Sequence, residues 1–124
     1  MEACILITDD TIFTRTVLKS ILSANGFKSI LEAGNGEQAL QSYKLNKPDV
    51  VLMDITMPIM DGLTALREIR AFDPEAKVIM CTAMGQKNMV VEAIKSGARD
   101  FIVKPFQSNR VLESVNRVLG CEAA

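Results

Sequence analysis

The stretch VVLMDITMPIMDG, residues 50–62, runs four apolar residues, Val50 to Met53, straight into the carboxylate of Asp54. A short continuous apolar run of this kind suits a strand buried on both faces. A desolvated, unpaired carboxylate at its end is costly, so something elsewhere in the chain must compensate Asp54.

Outward from this run, further short apolar stretches recur at Cys4 to Thr8, Ser29 to Glu32, Val78 to Cys81 and Phe101 to Val103. The segments between them carry helical periodicity. Phe13, Val17, Leu18, Ile21 and Leu22 recur at helical spacing before Gly26; Ala39, Leu40 and Tyr43 mark a second helix. Leu63, Leu66 and Ile69 mark a third, and Val90, Ala93 and Ile94 a fourth that ends before Gly97. Ser108 is placed to cap a fifth, which carries Val111, Leu112, Val115, Val118 and Leu119. Five strands alternating with five helices predict an α/β fold: a parallel sheet whose crossover helices cover both faces.

The 124 residues suffice for one domain, and the composition, 48% hydrophobic and 23% charged, fits a globular protein. The net charge of −1, with both signs interspersed, offers no basic stripe for a phosphate backbone, so nucleic acid is not expected as a partner. The apolar run from Cys4 to Ile7 stops at Asp9-Asp10 without a preceding basic region; neither a leader peptide nor a membrane span is expected, and the cytoplasm is the expected location. Three cysteines cannot all pair, and Cys4 and Cys81 sit in apolar runs as small buried thiols. Histidine is absent, which removes histidine-based nucleophile activation and most zinc patterns. Chemistry here must run on carboxylates, hydroxyls, lysine or a metal.

In a parallel sheet, ligands bind beyond the carboxyl ends of the strands. At those ends the sequence places Asp9 and Asp10, Asp54, Thr82, and Lys104 followed by Pro105. Two like charges 4 Å apart at an effective dielectric near 20 repel by about 4 kcal/mol, so three converging carboxylates call for cations. Lys104 supplies one. An oxygen-only carboxylate site suits Mg²⁺, which bridges readily to phosphate, and Asp54 then becomes a candidate nucleophile toward phosphorus.

The joint set of Asp9-Asp10, Asp54 in MDITMPIMDG, Thr82-Ala83 and Lys104-Pro105 resembles the receiver domain of two-component response regulators across nearly the whole chain. The stretches CTAMGQ and DFIVKPFQ look most like its stand-alone chemotaxis members, with residues 1–124 forming a single receiver domain and no output domain. The resemblance implies a flavodoxin-like, doubly wound sheet in the order 2-1-3-4-5. It further implies that Asp54 accepts a phosphoryl group from a phosphohistidine of a chemotaxis-type histidine kinase. Mg²⁺ would be held by Asp10 and Asp54, by Asp9 directly or through water, and by the backbone carbonyl of Thr56. Lys104 would contact the acyl phosphate, Thr82 would swing to hydrogen-bond it, and Phe101, which lacks a tyrosine's hydroxyl, would follow inward. Lys104-Pro105 would be cis, and the side chains of Thr56 and Met84 would modulate dephosphorylation. A flagellar motor switch protein is the implied target, with a phosphatase as a further partner, for a monomer whose surface of helix four, strand five and helix five changes on phosphorylation. A phosphorelay intermediate is the alternative within the family.

Three local features have other readings. Asp61 can cap the third helix, while Gly62 permits unusual dihedrals. Met57, Met60, Met84 and Met89, if exposed, would form an adaptable docking surface. AGNGEQA, with Gly34, Gly36 and Ala39, matches a loose dinucleotide fingerprint, but it follows the second strand in a chain without a second nucleotide-binding half, so a tight turn is the better reading. An aspartyl-phosphate phosphatase of the haloacid-dehalogenase type would place its nucleophile after the first strand with a general acid two residues later; here Asp54 follows the third strand, and the companion position holds Thr56, a poor general acid.

Overall fold

The computed structural model describes residues 3–120. Five strands, β1 (Cys4–Thr8), β2 (Ser29–Ala33), β3 (Val50–Asp54), β4 (Val78–Thr82) and β5 (Asp100–Val103), alternate with five helices. The helices are α1 (Ile12–Ser23), α2 (Gly36–Asn46), α3 (Gly62–Phe72), α4 (Lys87–Lys95) and α5 (Ser108–Leu119). The strands form one parallel sheet in the order β2-β1-β3-β4-β5, so the fold is flavodoxin-like, as expected. Each helix returns the chain from the carboxyl edge of the sheet to its amino edge, as parallel pairing requires.

The continuous apolar runs are explained by the two cores. Successive side chains of a strand point to opposite faces. Leu6, Val51, Met53, Val78 and Met80 meet Ala39, Tyr43, Ala65, Leu66, Ile69 and Ala93 from α2, α3 and α4 on one face. Ile5, Ile7, Val50, Leu52, Ile79 and Cys81 meet Leu18, Leu22, Val111 and Val115 from α1 and α5 on the other. Strand β5 behaves differently: Ile102 is buried under α5, while Phe101 and Val103 stay 38% and 42% exposed.

Several local expectations are corrected. Ser108 is the first residue of α5, and Gln107 takes the cap position without a side-chain hydrogen bond. Gly62 does not sit at a positive φ; it is required because the chain passes so close that a β-carbon would collide with the backbone of Asp54 and Ile55. Asp61 does cap α3, its carboxylate accepting from the Thr64 N–H at 2.7 Å. Gly34 and Gly36 belong to the turn into α2, where Asn35 caps the helix through the Gln38 N–H and a β-carbon at Gly36 would meet the Met60 carbonyl at 2.5 Å. The methionine surface does not form: Met57 is buried, Met60 and Met89 pack against the core, and Met84 alone of the four is fully exposed. Cys4 and Cys81 are free thiols, and burial pushes the Cys81 thiol up to about 12, which keeps it protonated and inert. Cys121 lies outside the described residues. No described helix is long and apolar enough to cross a membrane.

Candidate functional site

The strand order reverses between β1 and β3: from β1 the chain crosses to β2 on one side and then returns to β3 on the other. At that switch point, beyond the carboxyl ends, β1 delivers Asp9 and Asp10 and β3 delivers Asp54. One carboxylate oxygen from each of these three residues lies within 4.8 Å of the others. Asp9 and Asp54 are buried and Asp10 is exposed, so the cluster is walled by the sheet and open on one side.

Lys104, one residue past β5, reaches back across the sheet edge. Its Nζ lies 3.0 Å from Asp9 Oδ2 and 3.2 Å from Asp54 Oδ1. This is the compensating charge that the apolar run into Asp54 demands. The backbone aims the lysine: the Lys104 N–H donates to the Thr82 carbonyl at 2.8 Å, and the following Lys104-Pro105 bond is cis, as expected. Asp9 is fixed as well, because its other oxygen, Oδ1, accepts from the Thr11 N–H at 2.9 Å.

These contacts set opposing protonation preferences. Burial pushes the Asp54 carboxyl above the usual carboxylate range; Lys104 opposes this, while the charges of Asp9 and Asp10 add to it. Burial works against the Lys104 charge, yet the hydrogen bond to Asp9 and the charge of Asp54 hold its pKa above the ordinary amine value. Two cationic equivalents short of neutrality, a site of three carboxylates and one lysine is electrostatically ready for a divalent cation. Its all-oxygen donor set suits a hard ion such as Mg²⁺.

The other residues singled out in the sequence surround this centre. Thr82 ends β4 with its side chain buried; Thr56 lies in the loop after β3, and Met84 in the loop after β4. Phe101 points away from the core and lies beside Thr82 and Val103 around one shallow pocket. Gln86 went unread in the sequence, yet its side chain bonds to both Thr82 and Thr56. Arg15 was missed too; it donates to the Asp9 carbonyl and pairs with Glu32 at 3.0 Å, bracing the β1 end.

Residues 5–116 match the family described as the response regulator receiver domain. The chain is 58% identical to the chemotaxis protein CheY of Bacillus subtilis over 115 residues, covering 93% of this chain and 96% of that protein. It is 55% identical to the chemotaxis protein CheY of Thermotoga maritima, covering 92% and 95% of the two chains. The structure superimposes with a TM-score of 0.89, at 42% identity, on a crystal structure of the CheX-CheY-BeF3-Mg complex from Borrelia burgdorferi, covering 94% of this chain and 88% of that one. The three convergent aspartates, their lysine, the strand order and these matches agree: the chain belongs to the response regulator receiver domain family.

Proposed function

We propose that this receiver domain is a phosphorylation-controlled signalling module in which Asp54 accepts a phosphoryl group from a phosphohistidine of a chemotaxis-type histidine kinase. The observation that carries this reading is the position of Lys104, paired at once with Asp9 and Asp54 in a site of three convergent carboxylates. The Asp54 carboxylate attacks phosphorus, the phosphorus–nitrogen bond to the donor imidazole breaks, and the imidazole leaves with its electron pair and takes up a proton. Histidine is absent from this chain, so the donor is external.

Asp9, Asp10, Asp54 and the backbone carbonyl of Thr56 would hold Mg²⁺. That ion supplies positive charge to the transferring phosphoryl oxygens. Lys104 would neutralise a further phosphoryl oxygen. Thr82 then turns its hydroxyl to the acyl phosphate and Phe101 follows it inward, remodelling the face of α4, β5 and α5. A ligand shifts such an equilibrium only through its differential affinity for the two states, so these phosphate contacts must favour the remodelled one. The side chains of Thr56 and Met84, in the loops after β3 and β4, would tune hydrolysis of the acyl phosphate.

The remodelled face would bind a flagellar motor switch protein in the cytoplasm. The relative from Borrelia burgdorferi, crystallised as CheX-CheY-BeF3-Mg, supports both the ion and a partner that engages the phosphorylated form. Intact-protein mass after incubation with acetyl phosphate tests the acceptor assignment. A Mg²⁺-dependent gain of one phosphoryl group, absent in Asp54→Asn, supports it; no gain in the wild type refutes it.

A further inference from the structure

The side chain of Gln86 spans the mouth of the site. Its Oε1 accepts from the Thr82 hydroxyl at 2.8 Å and from the Ala83 N–H at 2.9 Å, and its amide nitrogen donates to Thr56 Oγ1 at 2.9 Å. The Ala83 N–H can only donate, so the atom facing it must be the amide oxygen and the orientation of the side chain is fixed. Gln86 therefore ties the loop after β4 to the loop after β3, the two loops that flank Asp54.

A threonine hydroxyl has one proton. It cannot be given to Gln86 and to a phosphoryl oxygen on Asp54 at once. With the Ala83 carbonyl 3.1 Å away as the alternative acceptor, the shorter contact to Gln86 Oε1 takes the proton in this structure. Thr82 is 2% exposed, so no bulk water replaces a partner it gives up.

We propose that Gln86 is a positioning residue that clasps the Thr82 hydroxyl in the resting state and competes with the acyl phosphate for it. The proposal rests on the phosphoacceptor reading of Asp54. Every phosphorylation event must break the clasp, and its strength sets how far phosphorylation moves the switch. When the clasp opens, Gln86 turns to solvent and regains hydrogen bonds there, so its removal penalises the resting state alone. A minor competent state made more populous raises apparent affinity in proportion.

The experiment is a four-protein cycle: wild type, Gln86→Met, Thr82→Ala and the double variant. Bound beryllofluoride is followed by ¹⁹F NMR at fixed Mg²⁺, with thermal melts confirming that each protein folds. Gln86→Met keeps the side-chain length and removes the polar atoms. It is expected to tighten beryllofluoride binding roughly fivefold in the wild-type background, the equivalent of one net hydrogen bond, and to change nothing in the Thr82→Ala background. An equal change in both backgrounds would mean that Gln86 acts through the α4 start and not through the hydroxyl, and overturns the proposal. Unchanged or weaker binding in the wild-type background overturns it too. A wild type that binds no beryllofluoride, while melting normally, instead overturns the assignment of Asp54 itself.

Discussion

The carbonyl oxygen of Asp54 and the α-carbon of Gly62 are in such close contact that a β-carbon at Gly62 would stand 1.9 Å from that oxygen. The approach is held by the Gly62 N–H, which donates to the Ile55 carbonyl at 2.7 Å. The loop that carries Thr56 is thereby closed back onto the strand that carries Asp54.

Gly62→Ala is therefore expected to shift the backbone under Asp54. Backbone cannot yield as a flexible side chain can, so the cost is about 3 kcal/mol. Urea denaturation reads the stability. Among molecules that remain folded, phosphorylation by acetyl phosphate should slow, because Asp54 and the Thr56 carbonyl both move.

Asp54→Asn is expected to stabilise the metal-free protein at pH 7, by on the order of 1 kcal/mol. The folded state raises the Asp54 pKa, so its ionised form costs stability, and that cost grows as pH rises from the ordinary value of 3.8 through the folded one. The advantage of the asparagine variant should thus be full at neutral pH, fade as pH falls through the raised folded value toward 3.8, and be gone below it. Equal denaturation midpoints at pH 7 would contradict the repulsion argument.

Mg²⁺ should raise the melting temperature by a few degrees, since an ion at ten times its Kd adds about 1.4 kcal/mol. Asp10→Asn, which removes the exposed carboxylate of the three, should reduce the shift without much change in the melt recorded in EDTA. A full Mg²⁺ shift in that variant would exclude Asp10 as a ligand.

Asp100 should matter for stability and not for phosphorylation. Its carboxylate accepts from the Ser114 hydroxyl at 2.6 Å and from Arg110, and pairs with Arg117, joining β5 to α5. Burial opposes its charge, but the Ser114, Phe101 N–H and Arg110 hydrogen bonds outweigh burial and hold the carboxyl below its usual range. Its stabilisation is present above the unfolded pKa and lost as pH falls through the folded one. Asp100→Asn is expected to cost about 1–3 kcal/mol at pH 7, a difference that closes in acid. Chemical denaturation at both pH values checks the sign.

The architecture was legible because it is written in local pattern. β3 and β4 announce themselves as unbroken apolar runs, and the polar residues that interrupt them, Asp54 and Thr82, stand at the site. What stayed hidden depends on contacts distant in sequence or on backbone geometry. The need for Gly62 comes from a crossing of the chain, which no dihedral signal reveals. Asp100, Arg110 and Arg117 read as ordinary surface charges until α5 packs on β5. Gln86 looks like a loop residue; only the bond from its amide to Thr56, thirty positions away, shows that it bridges two loops.

The one-way sheet has a practical corollary for anyone wishing to attach something to this protein. Four of the five strands, β1, β3, β4 and β5, deliver their side-chain chemistry at one rim, whereas Cys4, where β1 starts, and Leu119, where α5 stops, both lie at the other. A fluorescent reporter or an affinity handle joined at Cys4 or Leu119 would stand about 17 Å, the length of a five-residue strand, from the aspartates. Cargo carried there would leave the rim that holds the three aspartates and Lys104 open to whatever approaches it.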